Sequence, residues 1–342
     1  MRVAVYYNNN DVRVEERPVP MVGPGEMLVR IMASGICGTD VMEWYRIKKS
    51  PLILGHEIAG EVVEVGDEVD RCKVGDRVAV AHHVPCNTCY YCLKGHHTVC
   101  DTLRKTNFDP GGFAEYVRLP AINVDRGVFP LPDKVSYEEA TFIEPLACIL
   151  RGQRKAGMEP GQSVLVIGSG ISGLLHVKLA CALGAGLVAA TDISEYRLEA
   201  AKRFGASLTI QADDDVQARF REANNGRLAD LVIVCTGATK AFTQALQSVE
   251  RSGTILFFAP TEHGVTIPIS INELFWRNDV VLTTSYAGSP ADHMEALELI
   301  RAGRVDVQDM ITHRLSLSES GKGFRLVAGA RDCIKVIIEP QR

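Results

Sequence analysis

Four cysteines fall within fifteen positions, as Cys86-x-x-Cys89-x-x-Cys92 followed, after seven intervening residues, by Cys100. Four thiolates closing a tetrahedral shell are one of the standard ways a structural zinc is held. The lobe around them, about 82–104, is polar, with Pro85, Asn87, Thr88 and Gly95 and little apolar material to order it. A metal would therefore supply folding energy directly. The alternative is four free thiols on an oxidation-prone loop. His82, His83, His96 and His97 stand nearby, but four cysteines already fill a tetrahedral site. The histidines read as surface or hydrogen-bonding residues.

A second set of metal-capable residues is spread along the chain. Cys37, in Gly35-Ile36-Cys37-Gly38-Thr39-Asp40, and His56 and Glu57, in Gly55-His56-Glu57, offer a thiol, an imidazole and a carboxylate at two loop or strand ends. Glu144, in Phe142-Ile143-Glu144-Pro145-Leu146, offers a second carboxylate. A catalytic zinc needs about three protein ligands and an open position for water or substrate. Separated single residues also have a plainer reading, as a small core thiol and a hydrogen-bonded core histidine. Spacing alone leaves both open.

The third pattern is Gly168-Ser169-Gly170-Ile171-Ser172-Gly173, a G-x-G-x-x-G turn. It follows the strand-like run 163–167, opens the helical run 174–183, and has Asp192 at the end of the next strand. That whole context is the dinucleotide-binding fingerprint. The first glycine permits the tight turn, the second admits the pyrophosphate to the backbone, and the third lets helix and strand approach. The helix N-terminus presents its N–H groups to the phosphates. Asp192 suits the adenosine ribose and repels a 2′-phosphate, so NAD is favoured over NADP, although Arg197 offers a phosphate a cation. Thr236 and Gly237, just after the strand 231–235, are assigned to the same cofactor site. A βαβ unit that binds no dinucleotide is the competing reading.

These residues need two kinds of scaffold. Through about residue 150 the chain shows short β-type segments broken by Gly and Pro, at 27–36, 58–65, 77–81 and 112–119. No helix–strand alternation appears there, which predicts an antiparallel, barrel-like domain. From Ser163 strands and helices alternate: strand 187–192, helix 195–204, then strands 231–235 and 254–259. This predicts a doubly wound parallel sheet covered on both faces. An amphipathic helix after Asp292 and a strand at 333–338 do not extend that sheet and are expected to return to the first domain. The expected division is 1–149 with 291–342 as catalytic domain and 150–290 as NAD-binding domain.

At 342 residues there is room for two cores, and 46% hydrophobic with 23% charged residues is an ordinary globular composition. A formal net charge of −5 offers no electrostatic invitation to nucleic acid or anionic membranes. No apolar run reaches the ~18–20 residues of a membrane span. Residues 1–7 lack the long apolar core of a signal peptide and read as a first strand. A reducing, cytoplasmic setting is expected, in which the ten cysteines are ligands, reactive thiols or core residues rather than disulfides.

Taken together, the sequence resembles the zinc-containing medium-chain dehydrogenase/reductase family, most of all its branch holding sorbitol (polyol) and threonine dehydrogenases. The likeness covers nearly the whole chain in order. It rests on Cys37-Gly38-Thr39-Asp40, Gly55-His56-Glu57 through Gly60, Val65-Gly66, Gly75-Asp76-Arg77-Val78, the four-cysteine lobe, Gly112-Phe113-Ala114-Glu115-Tyr116, Glu144-Pro145-Leu146 and the Gly168 turn. The resemblance implies an α/β chain, with a GroES-like β-barrel catalytic domain and an inserted Rossmann domain. It implies two zinc ions per chain, one catalytic on Cys37 and His56, one structural on Cys86, Cys89, Cys92 and Cys100. The third catalytic place goes to Glu57 or Glu144, which in this family exchange as ligand and outer partner. Thr39 falls where the family places a hydroxyl that passes on the substrate proton.

One departure stands out. The position three after Thr39, often a histidine at the outer end of the proton relay, is Met42. The proton must then leave by water, the cofactor ribose or another residue. Trp44 and Tyr45 beside it read equally as packing or as substrate contacts. The implied reaction takes a hydride from a secondary alcohol, a polyol or sugar alcohol first, threonine or a simple secondary alcohol behind it, to NAD. A homodimer or homotetramer is implied by the same likeness. Two rivals share the scaffold: a zinc-free reductase of quinones or enoyl thioesters, and a non-catalytic NAD(H)-binding or sensing protein.

Overall fold

The computed structural model describes residues 1–342, which form two compact units, Met1–Ala147 with Ala287–Arg342 and Cys148–Tyr286. The strands, in chain order, begin with β1 (Arg2–Asn8), β2 (Asp11–Glu16), β3 (Met27–Gly35), β4 (Leu52–Ile53), β5 (Glu57–Val65), β6 (Arg77–Val80), β7 (Tyr116–Leu119) and β8 (Val128–Pro130). They continue through β9 (Ser163–Ile167), β10 (Leu187–Asp192), β11 (Leu208–Gln211), β12 (Ala229–Val234), β13 (Val249–Phe257) and β14 (Val281–Thr284), and end with β15 (Ile311–Ser316) and β16 (Lys335–Glu339).

In the first unit one sheet runs β15-β16-β3-β5-β6-β8, with β7 also on β3, and a smaller one runs β2-β1-β4. Antiparallel pairing dominates, and Met27, Val29, Ile31, Val62, Val78, Val117 and Leu119 form its core. Two details correct the sequence expectation. The strand placed at 112–119 is confined to Tyr116–Leu119, because the backbone at Gly111 and Gly112 packs directly on that of Ile53 and Gly55. The unit is also not purely antiparallel: β15 and β16 are parallel, joined by the helix Ser320–Gly329. Such a crossover is what a parallel pair requires. The chain end does return to this unit, where β16 pairs with β3 and Val336 and Ile338 enter a second core with Tyr6, Phe113 and Phe324.

The second unit is a six-stranded sheet ordered β11-β10-β9-β12-β13-β14, parallel throughout. Its central strand, Ser-Val-Leu-Val-Ile, is buried at every position, as expected of a strand covered on both faces. The order reverses between β9 and β12. Doubly wound sheets carry ligands at the carboxyl ends of the strands flanking such a switch point; here Gly168 and Thr236 follow those two strands, and Asp192 ends the neighbouring β10.

Candidate active site

Where β3 ends, Cys37 caps the short turn Gly38–Val41: its Sγ accepts from the Thr39 amide at 3.4 Å, and the Asp40 carboxylate accepts from the Cys37 amide at 3.0 Å. This reciprocal cap buries Asp40 completely and fixes the thiol. Glu57 opens β5 directly opposite Gly35 of β3. That register brings Cys37, His56 and Glu57 together, with one ligand atom of each within 4.8 Å of the others. Asp40 Oδ1 lies 3.4 Å from His56 Nδ1, which leaves the other ring nitrogen for a metal, the arrangement that orients metal-binding histidines. Burial opposes charge on His56, but the Asp40 carboxylate and the Cys37 sulfur outweigh it and hold the imidazole well above its ordinary value. Burial likewise opposes charge on Asp40, and His56 and Arg46 reverse the balance and hold it low.

Thr39 Oγ1 is 3.3 Å from Cys37 Sγ, so its hydroxyl sits against the candidate metal ligand. Met42 and Trp44 are half-buried and Tyr45 exposed on the turn beyond. Glu144 is not one of the clustered donors. It stands half-buried on the helix Ile143–Lys155, lining a small recess with Ile58, Val80, Phe129 and His293. Three neighbours join the site, two of them, Arg46 and Lys335, with no role assigned from sequence. Arg46 lies 3.7 Å from Asp40. Lys335 is wholly buried against Glu57. His82, read from sequence as a surface or hydrogen-bonding residue, is half-buried and packs its ring 4.8 Å from that of His56 and 3.8 Å from that of His83. Burial holds His82 well below the ordinary histidine value. A lysine inside the apolar run 333–338 was the one legible signal among these.

The other cysteine set forms a compact group of its own. Cys86 Sγ is 3.6 Å from Cys100 Sγ and 4.0 Å from Cys92 Sγ. Ligands about 2.3 Å from a tetrahedral zinc stand about 3.8 Å apart, so the thiols are placed for that ion and too far apart for disulfides. The Cys89 and Thr88 amides donate to Cys86 Sγ at 3.2 and 3.5 Å. The Thr88 contacts and the Cys89 amide pull its thiol well down, which favours the thiolate a metal takes. His83 is engaged by the Thr106 carbonyl at 2.7 Å, while His96 is exposed and His97 half-buried.

The glycine-rich turn is built as its pattern requires. Gly168 has φ of +93°, and a Cβ on Gly173 would come within 1.9 Å of the Gly168 carbonyl. A Cβ on Gly170 would meet only Arg197 Nη1, at 4.0 Å, so the backbone lies open on that side. Gly170 caps the helix Ile171–Ala182 with no side chain, leaving the first-turn amides of Ile171, Ser172 and Gly173 to a phosphate. Asp192 accepts from the Ser169 amide at 2.7 Å and the Ser194 amide at 2.9 Å. Arg197 stands 3.9 Å from Asp192. Thr236 lies against Gly168, and Gly237 follows it in the exposed loop. The cradle fits a dinucleotide, and the two donor sets fit zinc.

Residues 23–133 match the family described as Alcohol dehydrogenase GroES-like domain, and residues 172–302 match Zinc-binding dehydrogenase. The chain is 32% identical to the sorbitol dehydrogenase of Bacillus subtilis (strain 168), over 100% of this chain and 98% of the relative. It is 33% identical to the L-threonine 3-dehydrogenase of Bacillus velezensis, over 98% of each chain. A protein of Sinorhizobium meliloti 1021 solved with NADP bound shares the fold with a TM-score of 0.87 at 28% identity, covering 99% of both chains.

Proposed function

The chain belongs to the zinc-dependent medium-chain dehydrogenase/reductase family as a zinc- and nicotinamide-dependent alcohol dehydrogenase of its polyol branch, and we propose which residues carry the reaction and with which cofactor. The proposal rests on the clustering of Cys37, His56 and Glu57 beside the Thr39 hydroxyl. These three would hold the catalytic zinc, and Cys86, Cys89, Cys92 and Cys100 would hold a structural one. When bound, zinc supplies Lewis acidity that brings an alcohol hydroxyl toward neutral pKa. Thr39 accepts the hydroxyl proton of the substrate and passes it outward. A nicotinamide held by the Gly168–Gly173 turn would supply the hydride acceptor that turns a secondary alcohol into a ketone. Asp40 keeps His56 in one orientation throughout. Glu144 serves as an outer carboxylate rather than a permanent ligand.

NAD is the proposed cofactor. Asp192 is pinned by two amides at the end of β10, where its charge repels a 2′-phosphate. The same carboxylate offsets Arg197, so that guanidinium offers a 2′-phosphate little net attraction. The substrate class is a secondary alcohol with vicinal hydroxyls, as in the sorbitol-oxidising relatives, with 3-hydroxy amino acids as the second candidate.

The assembly is a homo-oligomer paired through β14. That strand is one of the two edges of the six-stranded sheet, and Val281 on it and Ile271 and Trp276 before it are exposed; an apolar edge invites pairing with a second copy. No helix is long and apolar enough to cross a membrane, and none of the ten cysteines is in a disulfide.

The test is metal analysis of the purified protein with a cofactor-reduction screen of polyols, inositols, 3-hydroxy amino acids and secondary alcohols, run with NAD and NADP in parallel. Two zinc ions per chain and NAD reduction by a polyol are expected. A zinc-free protein, or one that binds NADH yet turns over no alcohol, would overturn the reading. In light scattering, Val281→Lys is expected to shift the assembly toward monomer.

A further inference from the structure

Lys335 lies on β16, with β3 between it and Glu57 of β5. Ile337 pairs with Gly35, and Gly35 with Glu57. Residues directly opposite share a sheet face, as do positions two apart on a strand. Lys335, Gly35 and Glu57 are therefore on one face of three consecutive strands. The lysine crosses the middle strand because Gly35 has no side chain: a Cβ there would fall 2.4 Å from Glu57 Oε2, 2.7 Å from Lys335 Cε and 2.8 Å from Lys335 Nζ. The ammonium reaches Glu57 Oε2 through this window and lies 5.4 Å from the centre of the Phe142 ring. Lys335 is 0% exposed and Glu57 2%. A buried ammonium persists only when paired, and Glu57 is the carboxylate it is given.

We propose that Lys335 is a positioning residue for the catalytic metal: reaching through the Gly35 window, it holds one oxygen of Glu57 so that the carboxylate faces Cys37 and His56 before any metal arrives. This rests on the reading of Cys37, His56 and Glu57 as the catalytic zinc ligands. A buried carboxylate with no partner swings toward whatever donor it can find. One gripped by an ammonium on its outer oxygen keeps a single orientation, and partners of this kind typically account for about 10–100-fold in metal affinity. The last strand of the chain thereby serves the site formed near its start. Gly35 is as necessary to the device as the lysine, because any side chain there occupies the path of the ammonium.

The holoenzyme tests this by chelator competition, with zinc counted per chain and the structural zinc as internal control. In Lys335→Met the catalytic zinc is expected to leave at least tenfold more readily while the structural zinc is retained. The absorption bands of the cobalt-substituted catalytic site are expected to shift. Lys335→Arg restores part of the affinity. If Lys335→Met folds, binds catalytic zinc as tightly as the parent and gives the same cobalt spectrum, the proposal is overturned. Glu57→Gln separates the two levels of argument: unchanged zinc retention in that variant removes Glu57 from the ligand set and sinks the reading beneath. If Lys335→Met alone does not fold, Glu57→Gln and Lys335→Met/Glu57→Gln are compared, since the double variant leaves no unpaired buried charge. The proposal requires that losing Lys335 costs no further zinc affinity once Glu57 is neutral, and an equal tenfold loss in that background overturns it.

Discussion

Arg46 donates to the Thr39 backbone carbonyl at 2.9 Å and brings a second guanidinium nitrogen to 3.4 Å of the Thr39 hydroxyl. The family's frequent relay histidine is replaced by Met42, so Arg46 is the polar group found at the outer side of this hydroxyl. A fixed cation donating to Oγ1 orients the hydroxyl, whose own proton points to Cys37 Sγ, and favours its deprotonated form. The guanidinium takes no proton itself, so the proton leaves by water or the cofactor ribose. Thr39→Val is expected to lower kcat by about 10²–10⁴, the range for a lost proton-transfer group, with Thr39→Ser close to the parent. Arg46→Met is expected to lower kcat about tenfold with little change in zinc content. Steady-state kinetics at saturating NAD decides it: a Thr39→Val enzyme with parental kcat removes the hydroxyl from the proton path.

Cys37 and His56 carry the catalytic metal in this reading, and the dinucleotide cradle belongs to the other unit. Cys37→Ser or His56→Ala should therefore abolish alcohol oxidation and reduce zinc from two to one per chain, while NADH titrated by fluorescence still binds. Near-normal turnover in a variant shown to lack that zinc would refute the metal's role.

In the proposed reading, Asp192 bears the preference for NAD. Replacing it with serine removes the charge that opposes a 2′-phosphate and frees Arg197 from its 3.9 Å ion pair. The ratio of kcat/KM for NAD over NADP is expected to fall by about tenfold or more, equivalent to at least about 1.4 kcal/mol. A parent enzyme that already favours NADP contradicts the assignment.

The four-cysteine lobe has few apolar contacts beyond Leu103 and the sulfurs themselves. Structural zinc can supply about 10–16 kcal/mol to such a segment, far more than the lobe gains by burial. In Cys100→Ser, limited proteolysis is expected to cut within about 82–104 at rates where the parent is resistant, and to leave the segment Cys148–Tyr286 uncut within the C-terminal product. Equal resistance in variant and parent would mean that the lobe folds without the metal.

His176 is buried beside Gln153 and the edge of Phe258, with ring centres 4.6 Å apart in the latter contact. Burial pushes its imidazole down to about 3. Unfolded, it titrates near 6.5. Below that pH the unfolded chain takes up a proton that the folded one refuses, so stability is complete above about pH 6.5 and declines as the pH falls toward 3. By pH 5 this residue alone costs about 2 kcal/mol. Thermal melts between pH 7.5 and 5 should show a shallower decline in His176→Gln than in the parent. Parallel declines would assign the acid sensitivity elsewhere.

Contiguous patterns were readable without coordinates. The Gly168–Gly173 turn, its flanking strand and helix, and Asp192 depend on backbone geometry within some thirty residues, and the Cys86–Cys100 spacing constrains its own lobe. Local physics suffices there because each group needs only its neighbours. The catalytic set is different: Cys37 and Glu57 meet because β3 and β5 pair in one register, which spacing does not encode. Arg46 turns back on Thr39, and His82 packs on His56, only once the strands that carry them are in place. Lys335 could be singled out as a charge in an apolar strand, but its partner lies 278 residues away. A buried ammonium and a buried carboxylate, neither stable alone in a low-dielectric interior, are brought together only when the last strand joins the sheet beside the Gly35 window. Residue types and local spacing thus set which chemistry the chain is equipped for, and long-range strand pairing decided which carboxylate stands with Cys37 and His56.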